Sequence, residues 1–331
     1  MRIAIVGAGM AGLSCADALS AIGCGVTVFD KARGPGGRMS TRRIDTPLGQ
    51  ATFDHGAQYF TARAPGFRAQ VDAWEKCGVV SPWPLPASDA WIGTPGMNAI
   101  IKAMAGERDV RWNSPVDRIE RDGEQRGGEQ RDEGWRLRAG TVWFTGFDAV
   151  VLAVPAEQAL PFLSLHDFAM AREVMLARSQ PCWTAMFAFA DRVPGAIDML
   201  RDAGPIGWAA RNAAKPGRSG VEGWVVQARA DWSTRHLEYS VGEIAALLLD
   251  ELAAALGIDL PELIAASAHR WRYAMSAGLG LGALWNAESG LGVCGDWLLG
   301  PRVECAWLSG QELARQILDV PPDVAQGPRA G

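Results

Sequence analysis

The sequence predicts two interleaved domains: an α/β domain with a doubly wound parallel sheet, and a smaller α+β domain built on a mixed sheet. Three observations predict this. The chain opens on a complete strand, glycine turn, helix and strand unit within its first 30 residues. It closes on a strand ending in Gly295-Asp296, followed by a stretch with helical spacing. Its 331 residues exceed the usual size of one domain, so two are expected, with both ends of the chain meeting in the first.

Composition narrows the function. Apolar residues make up 48% and charged residues 21%, which excludes a disordered chain. The net charge of −5 argues against a nucleic-acid binder. Lys and Arg total 32, yet only four are lysines: Lys31, Lys76, Lys102 and Lys215. Anion sites are therefore expected to be arginine forks, and a catalytic lysine has few candidates. The six cysteines (Cys15, Cys24, Cys77, Cys182, Cys294, Cys305) include no Cys-x-x-Cys pair and no neighbouring His cluster, so neither zinc nor a redox motif is expected. They read as small packing residues of a reducing compartment. The first apolar stretch is broken by Asp17 and several glycines. Neither a signal peptide nor a membrane span is expected, and the expected location is cytoplasmic.

Arg2-Ile3-Ala4-Ile5-Val6 is a β-branched run with no polar face, as suits a central parallel strand buried on both sides. Gly7-Ala8-Gly9-Met10-Ala11-Gly12 follows and matches G-x-G-x-x-G. Leu13 to Ile22 has helical spacing, Val26 to Phe29 reads as the next strand, and Asp30 ends it, 23 residues after Gly7. This is a whole Rossmann-type βαβ unit. Gly7, Gly9 and Gly12 permit a tight turn and close approach to a diphosphate, and the helix N-terminus presents free N–H groups to it. Asp30 is placed to accept the ribose hydroxyls and disfavours a 2′-phosphate there, which leaves FAD or NAD as the bound dinucleotide.

The next segment separates the two. Gly34-Pro35-Gly36-Gly37-Arg38-Met39-Ser40 resembles the G-G-R signature of the flavin amine oxidase superfamily. That resemblance implies that Gly37 and Arg38 lie along FAD, with the arginine near the phosphates. Leu291-Gly292-Val293-Cys294-Gly295-Asp296, followed by a helix from Val303 to Leu318, is similar to the second FAD motif of the same superfamily. There the aspartate binds ribityl or phosphate oxygens and the helix N-terminus points at the flavin. The implied topology is that of the p-hydroxybenzoate hydroxylase-like flavoproteins.

Phe53-Asp54-His55-Gly56-Ala57-Gln58-Tyr59-Phe60-Thr61-Ala62-Arg63 is the most distinctive stretch. It resembles the F-D-x-G-A-Q-Y-F-T segment of renalases, the bacterial ones in particular. Gly93-Thr94-Pro95-Gly96-Met97-Asn98, Leu152-Ala153-Val154-Pro155 and Arg270-Trp271-Arg272-Tyr273-Ala274 match as well, so the resemblance runs along essentially the whole chain. It implies non-covalent FAD and oxidation of the 2-dihydro and 6-dihydro isomers of NAD(P)H to NAD(P)⁺, with O₂ reduced to H₂O₂. Carried over residue by residue, Ala11, Asp30, Arg38, Asp54, His55 and Asp296 contact FAD, and Val116 lies beside the adenine. Gly56, Ala57, Gln58, Tyr59 and Phe60 line the substrate face with Thr94, Pro95, Gly96 and Met97. Thr184 and Arg302 are further candidates for substrate contact.

The residue inventory agrees with that chemistry. A dihydropyridine loses hydride readily because its ring becomes aromatic, so no strong base is required. The protein must hold the ring against the flavin, and Gln58 and Tyr59 among aromatic walls suffice for that. Trp83, Trp91, Trp183, Trp208, Trp224 and Trp285 are candidates for those walls. A flavin amine oxidase or desaturase on the same fold is the alternative, and a flavoprotein with a filled, non-catalytic pocket is a second. The amine oxidase branch carries an active-site lysine. Here Lys31 neighbours the ribose acid, Lys76 and Lys102 read as exposed helical residues, and Lys215 lies in a Lys-Pro-Gly-Arg-Ser-Gly loop, so none matches well. His55 has two uses, as a hydrogen-bonding residue or as a proton shuttle.

The resemblance implies two interleaved domains, with an FAD domain of residues 1–70, 95–155 and 276–320 and a substrate domain of 71–94 and 156–275. Phe147 to Val154 reads as a buried strand that Pro155 ends, and Ala185 to Ala190 and Gly223 to Ala228 as strands of the second sheet. Ile244 to Leu256 reads as an apolar packing helix. The repeat Gly123-Glu124-Gln125-Arg126 and Gly128-Glu129-Gln130-Arg131 reads as a mobile hairpin tip, and 321–331 as a flexible tail.

Overall fold

A computed structural model describes residues 1–106, 108–121 and 134–318. The repeat at 123–131 and the tail at 321–331 lie outside the described residues.

The β-branched run at the N-terminus forms the strand Arg2–Val6 at the heart of a six-stranded sheet. The spatial order is Leu284–Asn286, Leu291–Val293, Ala149–Leu152, Arg2–Val6, Gly25–Phe29 and Val110–Arg111. All neighbours pair in parallel except the first two. Alternation along the central strand feeds two cores. Ile3 and Ile5 face one with the helices Met10–Ala21 and Val303–Ile317, while Ala4 and Val6 face the other. That second face is covered by the helices Ala156–His166 and Phe168–Val174 and by a three-stranded sheet that includes Val116–Arg121. Sequence segments hundreds of residues apart thus meet in one sheet, as open α/β folds require.

The expected mixed sheet of the second domain is antiparallel throughout. Its order is Met199–Ala203, Ile206–Arg211, Glu222–Ala228, Ser179–Phe189 and Leu263–Ser276. The first two strands are joined by a two-residue turn at Gly204-Pro205, too short for a parallel crossover. One face packs Phe187, Phe189 and Trp224 against the helix Val241–Leu256. The other packs Met186, Ala188 and Val225 against Ala51 and Phe53. Phe53 therefore anchors the strand Gly49–Asp54 to the second sheet, and the loop that follows it runs between the two domains.

Candidate active site

The glycine turn is sterically compelled. Gly7 has φ +111°, and a Cβ there would lie 2.4 Å from the Ala153 oxygen. A Cβ at Gly12 would lie 2.0 Å from the Gly7 oxygen. Gly9 has open space in front of it and caps the first helix, whose first turn holds no acidic side chain, so its N–H groups face a cavity. Asp30 sits at the end of the second strand and accepts from Ala8 N and Ala32 N, 2.7 Å each.

The two ends of the chain meet through a charge-assisted fork. Arg38 donates to both oxygens of Asp296 at 2.8 and 2.6 Å, and to the Ala274 oxygen at 3.3 Å. The Arg38 oxygen accepts from Ala57 N at 2.8 Å, and a Cβ at Gly56 would lie 2.0 Å from it. The Gly-Gly-Arg loop is thereby latched to the Gly56–Phe60 stretch.

One cavity of about 530 Å³ joins these parts. Gly9, Ala11 and Arg38 line it at one end, with Gly295 and Asp296. Gly56, Ala57, Gln58, Tyr59 and Phe60 line it as well, and so do Arg302 and Val303. The open space before Gly9, the helix N-terminus behind it and the Arg38–Asp296 pair fit a flavin dinucleotide. Tyr59 and Trp208 stand 5.4 Å apart as one aromatic wall, and Trp271 forms another.

Other expected site residues lie elsewhere. Asp54 is buried beneath the loop and does not line the cavity: Thr41 Oγ1 and Met97 N donate to its Oδ1 at 2.7 and 2.9 Å, and Arg218 to its Oδ2 at 2.6 Å. Burial alone would raise its pKa, but Lys215, Arg218 and these donors hold it at about 2. It serves the loop rather than a cofactor. His55 also stands back from the cavity, stacked on Trp271 at 5.3 Å, with Nε2 3.3 Å from Ser40 Oγ and Nδ1 without a hydrogen-bond partner among the described residues. Burial, then His269 and Arg42, lowers its pKa to about 4, so it is neutral near pH 7.

Thr94, Pro95, Gly96 and Met97 pack behind the loop, not along the cavity. Thr94 bonds Ser81, a Cβ at Gly96 would meet Thr41 at 2.7 Å, and Met97 is fully buried. Thr184 is fully buried between neighbouring strands, which separates it from substrate. Gly7, Gly12 and Gly37 are not among the residues that line the cavity, and Val116 opens a strand away from it. Of the candidate tryptophans Trp208 lines the cavity, whereas Trp183 and Trp224 belong to the core of the second domain. Trp271 lines the cavity without having been singled out for that role. Its signal was its place in the Arg270–Ala274 match.

The largest correction concerns Lys215. Its loop position in sequence makes a poor match for an active-site lysine, yet its side chain is 1% exposed. Lys215 Nζ donates to Gln58 Oε1 at 2.9 Å and lies 3.4 Å from Asp54 Oδ2 and 5.5 Å above the Trp83 ring. Burial lowers its pKa to about 8, against the opposing pull of Asp54. Gln58 Nε2 donates to the Asp54 and Gly56 oxygens at 2.6 and 3.1 Å. Gln58 thus borders the cavity, but its amide is spent on holding the loop. No local pattern announces this, because the three residues are more than 150 positions apart in part and meet only through the second sheet.

The comparisons with known proteins agree with this architecture. Residues 5–74 match the NAD(P)-binding Rossmann-like domain, and residues 85–318 match the flavin containing amine oxidoreductase family. The hydroxyneurosporene desaturase of Cereibacter sphaeroides is 32% identical over 126 residues, which is 33% of this chain and only 24% of the desaturase. Cyclohexylamine oxidase from Brevibacterium oxydans IH-35A superposes with a TM-score of 0.67 at 15% identity, covering 96% of this chain and 98% of that one. An engineered triple mutant of putrescine oxidase gives 0.68 at 15% identity over 96% and 98%. At that identity the likeness concerns the fold alone. Among the described residues no helix is long and apolar enough to cross a membrane. The match over residues 85–318 and the dinucleotide fit of the cavity lead to one conclusion: the chain belongs to the flavin containing amine oxidoreductases and is an oxidoreductase whose cofactor is non-covalent FAD.

Proposed function

We propose that this protein oxidises the 2-dihydro and 6-dihydro isomers of NAD(P)H to NAD(P)⁺. The balance is dihydro-NAD(P) + O₂ + H⁺ → NAD(P)⁺ + H₂O₂. Bound FAD supplies the two-electron acceptor that O₂ reoxidises. The observation that carries the reading is the chemistry of the cavity wall. Among the described residues its lining includes no Lys, His or Glu, and the one carboxylate there, Asp296, is forked by Arg38. A wall without a free base suits a donor that gives up hydride and no carbon-bound proton. Tyr59, Trp208 and Trp271 supply flat surfaces that orient a planar ring. The Gly56–Phe60 stretch, latched to Arg38, carries Tyr59, and strands of the second sheet carry Trp208 and Trp271.

Lys215 favours a second reading, amine oxidation, because it is a buried lysine hydrogen-bonded to a cavity residue. Mixing the yellow holoprotein anaerobically with chemically reduced NAD, pure 4-dihydro-NADH or benzylamine separates the two. Bleaching by the isomer mixture alone is the expected result. Bleaching by the amine alone moves the protein to amine oxidation, and bleaching by none leaves a flavoprotein without either activity.

A further inference from the structure

We propose that Arg63 and Arg302 form an anion subsite at the mouth of the cavity that takes the diphosphate of a dinucleotide substrate, and that Glu304 positions both. The identity of the substrate rests on the reading above, whereas the anion subsite stands on its own geometry. Arg63 and Arg302 line the cavity, and their side chains are 66% and 47% exposed. Both are therefore cations at its open end rather than packing residues. Among the described residues the Arg63 guanidinium is ion-paired with Asp89, at 3.7 Å and itself 46% exposed.

Glu304 is a carboxylate at 2% exposure, which needs a reason. Its Oε1 accepts from Arg63 N and Ala64 N, 2.6 Å each, and its Oε2 lies 3.3 Å from Arg302 Nη1. One buried side chain thus fixes the backbone that carries the first arginine and the guanidinium of the second. It does not line the cavity, so it orients the cations without confronting a bound anion. The Gly9–Ala11 turn and Arg38 would serve the diphosphate of FAD, and Arg63 and Arg302 are a second pair of guanidinium groups in the lining, each beside one carboxylate. A protonated amine meets two like charges at this mouth. A dinucleotide presents a planar ring for the aromatic wall and a diphosphate for the guanidinium forks.

The test uses FAD-loaded protein. ADP and, separately, inorganic diphosphate are titrated by calorimetry into wild type, Arg63→Ala, Arg302→Ala and Glu304→Gln, at low and raised salt. ADP is expected to bind, more weakly as salt rises, and each substitution to weaken it about ten-fold. Where Glu304→Gln does not fold, the two arginine variants carry the test. Absence of ADP binding, or equal binding by wild type and both arginine variants, overturns the subsite. In parallel, flavin reduction by dihydro-NAD isomers is compared with that by N-methyl dihydronicotinamide isomers, which lack phosphate. The preference for the dinucleotide is expected to fall about ten-fold in each variant. If neither donor reduces the flavin while ADP binding follows the arginines, the proposed activity fails and the subsite stands. If both donors reduce it and the preference is the same in all variants, the diphosphate assignment falls.

Discussion

Lys215, Asp54 and Arg218 place two cations and one anion out of water, a costly arrangement in which both cations share the one carboxylate. Removing one partner exposes that cost. Lys215→Met is expected to lower stability by about 3 kcal/mol and to slow flavin reduction, because Gln58 loses its donor. Thermal melts and stopped-flow reduction check this, and wild-type values in both would take Lys215 out of the site. Gln58→Ala is expected to slow reduction more than it lowers flavin content, since Gln58 shapes the cavity loop and touches no phosphate donor. His55 gives a pH signature. Its folded pKa of about 4 lies below the unfolded value of 6.5, so the unfolded chain binds the extra proton between them. Stability is therefore whole above pH 6.5 and falls as pH drops toward 4. Between pH 7 and 5 the loss from this one group is about 2 kcal/mol. Urea unfolding at both pH values should show a smaller difference for His55→Asn; an unaltered difference would assign the slope to other groups.

At the level of elements, the first helix and the last meet backbone to backbone. A Cβ on Gly310 would sit 2.2 Å from the Ala11 oxygen and 2.9 Å from Cys15 N. Both neighbours are backbone, so neither can rotate away. Gly310→Ala is expected to push Val303–Ile317 off Met10–Ala21, costing about 1–3 kcal/mol. Because Ala11 and Val303 both line the cavity, flavin content should fall with Tm; a yellow variant with a normal Tm would show that the helices tolerate the shift. The elements themselves were largely legible. The helix expected from Val303 to Leu318 runs Val303–Ile317, and that expected from Ile244 begins at Val241. Ser240 and Glu243 explain the earlier start, since they form a capping box whose Ser-x-x-Glu spacing stands in the sequence.

For the whole molecule, the cofactor domain closes through Arg38 and Asp296, which lie 258 residues apart. A cofactor that binds the folded chain and not the unfolded one stabilises the fold by mass action, about 2.7 kcal/mol at a hundred-fold excess over its Kd. Stripping the flavin should lower Tm by several degrees, and re-adding FAD should restore it. Asp296→Asn should shrink that difference, because it weakens the fork on which closure depends. An apoprotein melting with the holoprotein would contradict this account.

The sequence by itself determined the cofactor half of the molecule. A glycine turn, its acid at Asp30 and a Gly-Asp strand end are local, and their physics acts through backbone angles and hydrogen bonds among near neighbours. It also carried the Gly56–Phe60 stretch, whose glycine and small residues permit the close approach to Arg38. Only the tertiary structure decided what faces that cavity. Asp54 and His55 adjoin Gly56 in sequence, yet they turn inward, because Phe53 is pinned to the second sheet and Asp54 is claimed by Lys215 and Arg218. Lys215, Trp271 and Glu304 acquire their places through burial and pairing across long stretches of chain, and such desolvated, long-range contacts leave no periodicity or spacing in the sequence to read.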